Sequence, residues 1–207
     1  MNIVIFGPPG AGKGTQSKFI AKKYNLHQLS TGELLRGEMQ NKTELGSKIS
    51  SIINNGELVS DDVVSDLIEK FISKDAFKQK IIFDGYPRNL NQAINLDNLL
   101  KKYNQKIDIV LNLSVKLQTV KIRILERQNQ ENRSDDNERT AIKRYQTYEK
   151  SNQPVIDYYK QRNLLKVING EGSINQISEQ ISGIIDGFKG WLWEIRQYKY
   201  AGKTKTH

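Results

Sequence analysis

The run Gly7-Pro8-Pro9-Gly10-Ala11-Gly12-Lys13-Gly14-Thr15 places glycines around a single lysine, directly after a short apolar stretch and at the start of a helical pattern. Glycines let a backbone curl so that successive N–H groups converge on one anion at the positive end of a helix dipole, and Lys13 adds a full charge on a flexible stem. The chemistry is phosphate binding, and a strand–loop–helix setting is the context that such a loop requires. The usual hydroxyl residue directly after the lysine is replaced by Gly14, and the hydroxyl arrives one position later, at Thr15. A second candidate is Ile81-Ile82-Phe83-Asp84, an apolar strand that ends in a carboxylate. In a parallel sheet Asp84 would emerge on the same edge as the phosphate loop, where it can reach a magnesium ion that keeps most of its waters.

These residues need a scaffold, and the apolar pattern supplies one. Strands are expected at Ile3–Phe6, Leu26–Leu29, Ile81–Phe83, Ile107–Leu113 and Leu164–Ile168, all of them candidates for central burial. Helical spacing fills the intervals at Thr15–Tyr24, Asp61–Phe71, Leu90–Tyr103, Leu117–Arg127, Asn137–Tyr159 and Ile174–Ile185. Alternation of this kind predicts an α/β fold, a five-stranded parallel sheet with helices on both faces. Residues 30–73 are too long for one crossover helix and contain turn signals at Asn41 and Asn54-Asn55-Gly56, which predicts an inserted helical lobe. Within it Ser30 and Glu33 have capping-box spacing, so Thr31 falls on an exposed first helical turn, where its hydroxyl can meet a ligand.

Gly10-Ala11-Gly12-Lys13-Gly14-Thr15-Gln16 resembles the phosphate loop of the adenylate kinase family, in which glycine follows the lysine. Three further segments resemble that family in the same order: Ser30-Thr31-Gly32-Glu33-Leu34-Leu35-Arg36, Asp84-Gly85-Tyr86-Pro87-Arg88 through Gln92, and Arg133-Ser134-Asp135-Asp136 with Arg144 beyond it. The resemblance spans residues 1 to about 187 and implies a P-loop nucleoside monophosphate kinase domain, with a monophosphate lobe at about 30–59 and a short lid at about 127–137. It further implies reversible, magnesium-dependent phosphoryl transfer from ATP to AMP giving two ADP. By the same resemblance Gly10, Ala11, Gly12, Lys13, Gly14, Thr15, Arg123, Arg127 and Gly172 would hold ATP. Thr31, Arg36, the backbone of Glu57, Leu58 and Val59, and Gly85, Tyr86, Pro87, Arg88, Gln92, Arg133 and Arg144 would hold AMP. Lys13, Arg88, Arg127, Arg133 and Arg144 would act on the transferring group, Asp84 would organise magnesium through water, and Asp135 and Asp136 would pair with lid arginines on closure. Thr31 and Gln92 favour AMP over the UMP and CMP used by relatives of the same architecture, whereas Asn89 is also found in pyrimidine-directed ones. A pyrimidine monophosphate kinase and a non-catalytic nucleotide-binding regulator are the alternatives.

The arginines carry a separate signal. The chain has 32 Lys and Arg together. Only nine are arginine, and six of these, Arg36, Arg88, Arg123, Arg127, Arg133 and Arg144, fall at the family's phosphate or base contacts. Planar guanidinium groups grip phosphate oxygens in pairs and stay charged when desolvated. Arg123 and Arg127 are spaced to share a helix face. Direct transfer between two nucleotides needs no protein nucleophile, and His27 reads as structural.

Composition narrows the partners. The 207 residues contain no cysteine, which excludes disulfides, thiolate zinc sites and thiol catalysis, and a short lid without cysteine or histidine is expected to bind no zinc. No apolar run approaches the roughly 18 residues of a membrane span, and the N-terminus lacks a leader pattern, so a cytoplasmic protein is expected. Of the net charge of +9, Lys189, Arg196, Lys199, Lys203 and Lys205 against Glu194 place nearly half in residues 188–207. The remaining charge lies on polar helix faces without interleaved aromatics, so no specific nucleic-acid partner is expected. The partners are then small molecules, ATP, AMP and ADP, and a monomer is expected, as in short-lid relatives. Residues 188–207 depart from the family pattern. Trp191, Ile195 and Tyr198 there share a helical spacing that could pack back on the protein, stay a loose tail, or meet a surface.

Overall fold

The computed structural model describes residues 1–55, 57–131 and 138–201. Its elements run β1 (Ile3–Phe6), α1 (Lys13–Tyr24), β2 (His27–Ser30), α2 (Thr31–Gln40), α3 (Glu44–Asn54), α4 (Asp61–Ile72) and β3 (Ile81–Asp84). After β3 come α5 (Leu90–Lys102), β4 (Ile109–Ser114), α6 (Leu117–Glu131), α7 (Glu138–Gln161), β5 (Leu165–Asn169) and α8 (Ile174–Ala201). The five strands form one parallel sheet in the order β2-β3-β1-β4-β5.

Period-two alternation divides the sheet between two cores. Val4 and Phe6 of β1, Ile81 and Phe83 of β3 and Val110 of β4 join one apolar cluster, with Ile68 and Ile72 of α4, Leu96 and Leu100 of α5, and Val155 and Tyr159 of α7. Ile3, Ile5, Ile82, Ile109 and Leu111 point the other way, against Ile20 of α1, Val120 and Ile124 of α6, and Ile177, Ile181 and Ile185 of α8. Helices therefore cover both faces, as a parallel sheet requires. Burial is not uniform, which corrects the expectation of five central strands. β1 and β3 are fully buried, while β2 and β5 are edges, where His27, Lys166, Asn169 and Val167 reach solvent, the last at 64% exposure. An edge strand needs only one apolar row, so its composition carries a weaker signal.

The stretch between β2 and α4 holds α2 and α3, which pack closely on each other. A Cβ at Gly46 would lie 2.0 Å from the Glu38 carbonyl oxygen, so only glycine permits this crossing. Leu35, Ile49 and Ile53 tie the pair to the first core. Two boundaries differ from the sequence pattern. α6 continues through Glu131, so Arg127 lies inside a helix, and α8 runs on to Ala201 instead of stopping near residue 185. Phe188 packs against the second core and the Lys189 ammonium lies 4.5 Å from the Tyr24 ring centre, while Trp191 and Trp193 are exposed.

Candidate active site

β1 lies at the centre of the sheet with β3 and β4 as neighbours, and the chain leaves it at the point where strand order reverses. In open parallel sheets that crevice, beyond the carboxyl ends of the strands, is where ligands bind. Here it is a cleft of about 780 Å³.

Its floor is the phosphate loop. Ala11 N–H bonds back to Pro8 O at 3.1 Å, and Gly12 adopts φ 89°, a left-handed conformation that swings the chain into α1. No side chain caps α1 and no acidic residue lies in its first turn, so its leading N–H groups face the cleft with the positive end of the helix dipole. The Lys13 ammonium folds over the loop and donates to Gly7 O at 2.8 Å and Pro8 O at 2.9 Å. Burial in the cleft wall lowers its pKa to about 8; the neighbouring charge of Asp84 opposes that shift, and Arg88, Arg127 and Arg144 add to it.

Asp84 ends β3, in register with Ile5 of β1 and Ser30 of β2, which fixes it beside the loop. A Cβ built on Gly14 would sit 3.7 Å from its Oδ2, so the expected neighbourhood is realised. Gln28 of β2 donates to the same oxygen at 2.9 Å. Desolvation raises the Asp84 pKa, with Lys13 and then the Gln28 hydrogen bond acting against it.

The opposite wall begins where β2 runs into α2. Ser30 accepts from Glu33 N–H at 3.3 Å as the helix cap, while Glu33 turns its carboxylate toward Lys18. Thr31, expected on an exposed turn, is instead buried, because the Gly85 segment packs over it and accepts its hydroxyl at Gly85 O at 3.0 Å, and Arg88 Nε donates to that same oxygen at 2.7 Å. Gly85 has φ 79°, and a Cβ there would lie 3.1 Å from Thr31 Oγ1 and 3.3 Å from Arg88 Nη2. A glycine is thus required both by the backbone and by the two side chains that meet over it. Arg88 is reached by solvent through the cleft but surrounded by protein. Its pKa falls to about 10, first through desolvation and then through Arg144, with Asp84 opposing and Arg36 adding. The Arg36 guanidinium lies against Gly32, where a Cβ would come within 3.3 Å of it. Arg144 of α7 reaches across to Ile53 O at 3.3 Å, at the C-terminal turn of α3.

The third wall comes from α6, α7 and the turn after β5. Glu171 accepts from Lys116 N–H and from the Thr119 hydroxyl, both at 2.6 Å, which pins that turn to the start of α6 and lowers the Glu171 pKa. Arg123 then donates to Gly172 O at 3.4 Å, with Arg127 one helical turn further along.

The cleft thus brings together the expected loop residues Gly10 to Thr15 and the residues Thr31, Arg36, Glu57, Leu58, Val59, Asp84, Gly85, Pro87, Arg88, Gln92, Arg123, Arg127, Arg144 and Gly172. Tyr86 is a correction: its side chain is 1% exposed, belongs to the first core cluster and does not line the cleft. The turn at Gly85 sends the next side chain into the first core, where its ring is worth more as buried apolar surface than as a contact. Arg133, Asp135 and Asp136 lie outside the described residues. Other residues at the site went unrecognised in the sequence. Tyr148, Ser151 and Asn152 of α7 line the cleft, with the Tyr148 hydroxyl donating to Asn112 at 3.2 Å and accepting from Asn152 at 2.7 Å. Gln28 and Asp61 support it from behind. Helical spacing puts Tyr148 and Asn152 on one face of α7, the only trace of this arrangement in the chain itself.

A phosphate loop that faces a second cation-lined wall across one cleft defines a P-loop phosphotransferase with room for two phosphorylated substrates. The model of the family described as adenylate kinase matches residues 5–164. The adenylate kinase of Pelagibacter ubique is 41% identical over 211 aligned positions, covering 89% of this chain and 99% of that protein. That of Porphyromonas gingivalis W83 is 41% identical over 189 positions, covering 91% and 97%, and that of Flavobacterium johnsoniae 40% over 187, covering 90% and 98%. The chain belongs to the adenylate kinase family and is a nucleoside monophosphate kinase.

Proposed function

We propose that this cleft converts ATP and AMP into two ADP, and back, by direct in-line transfer between the two walls. The convergence of Lys13, Arg88, Arg127 and Arg144 on one cleft carries this reading, because two polyanions can be brought into contact only where their repulsion is neutralised. ATP lies with its phosphates on the loop from Gly10 to Thr15 and its base between Arg123 and the turn at Gly172. AMP lies against Thr31, Arg36, the 57–59 segment and Gly85 to Arg88, with its base edge at Gln92. Lys13 leaves the Gly7 and Pro8 carbonyls to follow the transferring group. Arg88 and Arg144 hold the acceptor side, Arg127 the donor side, and Arg133 joins them from the lid. The acceptor phosphate oxygen is itself the nucleophile, and the residues described orient it and stabilise the charge that spreads in the transition state.

The site fits magnesium held largely by substrate. Asp84 is a buried carboxylate beside the loop, and among the described residues no cluster of three acidic or imidazole groups competes for the ion. Magnesium bound there would neutralise phosphate charge, with Asp84 holding its waters. Residues 1–187 form the kinase domain, with the AMP lobe at about 30–59, a short lid at 127–137 and an appended helical tail. No helix among the described residues is long and apolar enough to cross a membrane. A monomer working in the cytoplasm is the setting proposed for this small-molecule site. Transfer from magnesium ATP to AMP, CMP and UMP measured side by side, with an acceptor-free control for hydrolysis, tests the reading. Rapid ADP formation with AMP alone is expected, and a preference for either pyrimidine overturns the base assignment.

A further inference from the structure

Gln92 is held at both ends before any ligand arrives. Its Oε1 accepts from Arg88 N–H at 2.7 Å and its Nε2 donates to Asp61 Oδ1 at 2.7 Å. A backbone N–H can only donate and a carboxylate can only accept, so the two contacts admit one orientation of the amide. Asn89 reinforces the carboxylate. It donates to both Asp61 oxygens, at 3.0 and 3.2 Å, while its own Oδ1 caps α5 through Gln92 N–H at 2.8 Å. Asp61 opens α4 and stands behind Gln92, outside the cleft lining. A primary amide has two N–H groups and two lone pairs on oxygen. With one of each engaged, Gln92, only 3% exposed, retains one donor and one acceptor for a ligand in the cleft.

We infer that Asp61 is a specificity-determining positioning residue, which fixes the Gln92 amide so that it accepts a base carrying an exocyclic amino group beside an unprotonated ring nitrogen and rejects its oxo counterpart. The inference rests on the reading that Gln92 meets the base of the acceptor nucleotide. With the amide fixed, its oxygen can receive an amino N–H while its nitrogen donates to the neighbouring ring nitrogen of the base-pairing edge, a bidentate pairing of the same kind as glutamine makes with the amino group and N7 on adenine's other edge. A 6-oxopurine presents a carbonyl beside a ring N–H and needs the amide reversed. Reversal would set Nε2 against Arg88 N–H and Oε1 against the Asp61 carboxylate, two like-against-like contacts in a buried place. Asparagine at position 61 can offer an N–H to the reversed amide and removes one of the two conflicts.

The test compares AMP with IMP, which differ at this base edge, in the full-length parent and in Asp61→Asn, Asp61→Ala and Asp61→Glu. Each variant's thermal unfolding is recorded alongside. The ratio of kcat/KM for IMP over AMP should rise about tenfold or more in the Asn and Ala variants, the order expected when one buried mismatch is relieved. The change should sit in KM, and Asp61→Glu, which can only accept, should keep the parent ratio. Equal losses with both acceptors, or an unchanged ratio, would show Asp61 to be a helix-opening residue only. Gln92→Ala separates the two layers. If it leaves KM for AMP unchanged, the base reading fails and takes the inference with it. If it raises that KM while the Asp61 variants keep the parent ratio, only the role of Asp61 is lost.

Discussion

Replacing Arg88 by lysine keeps a cation in place and removes only the shape of the donor. In the protein the Nε–H of Arg88, which lines the cleft, is already used on Gly85 O at 2.7 Å, which leaves the two terminal nitrogens as the fork for a ligand. Lysine that holds the same carbonyl has two hydrogens left on a single nitrogen and cannot offer two parallel N–H groups to two phosphate oxygens. One charge-assisted hydrogen bond is then lost, worth about 1.5–3 kcal/mol, which converts to a fall in kcat of roughly tenfold to 150-fold. The assay is steady-state ADP formation with AMP saturating, and Arg88→Lys with parental kcat would refute the bidentate role. A second variant isolates the charge. The folded-state pKa of Arg88 is lowered to about 10, and a base with a depressed pKa makes folding less favourable while it is protonated, a cost present at neutral pH and relieved as pH rises through the folded value. Arg88→Met discards that charge together with its repulsion from Arg144 and Arg36. Turnover should collapse while the thermal midpoint stays level with or above the parent's, the trade expected where a functional site is held against stability. A midpoint well below the parent's would mean that Arg88 is structural.

Asp84→Asn should lower kcat by at least about tenfold and raise the magnesium concentration needed for half-maximal rate, measured by metal titration after chelation. A parental metal dependence would take Asp84 out of the ion's shell. Gly85→Ala meets both the φ of 79° and the close Thr31 and Arg88 side chains, so a loss of about 1–2 kcal/mol in denaturant unfolding and a raised KM for AMP are expected. Tyr148→Phe removes the hydroxyl that joins Asn112 to Asn152, and with both amides buried should cost about 1–3 kcal/mol of stability in the same measurement. Truncation after Lys189 keeps Phe188 on the core and Lys189 over Tyr24 but removes the exposed tryptophans. Its kcat and thermal midpoint should match the parent's, and a midpoint lowered by several degrees would show that the last turns of α8 pack on the body.

The features legible in the chain were those with short-range causes. Lys13 and its glycines are contiguous, Asp84 ends an apolar run, and the buried β1 and β3 needed only four and three successive apolar residues to be recognised. Edge strands were harder because solvent replaces half of the apolar pattern, and β2 and β5 each lie one residue further toward the C-terminus in the structure than the pattern placed them. Gln28 was invisible for the same reason: a polar residue on an edge strand looks solvated until its neighbour across the ladder is known to be Asp84's strand. Tyr86 misled because it shares a segment with residues that face the cleft, while the Gly85 turn sends its ring the other way. Asp61 shows the limit most clearly. By sequence it is an acidic residue in the first turn of a helix, which the helix dipole already explains. Only the packing of α4 beside α5 sets its carboxylate against Asn89 and Gln92, so a residue outside the cleft decides which end of an amide faces into it. Asn89, which taken alone hinted at a pyrimidine acceptor, belongs to the same support: its side chain caps α5 and holds Asp61, and it does not line the cleft. Discrimination in this cleft is therefore set one layer behind the contact, where acceptor-only and donor-only groups leave the amide no second orientation.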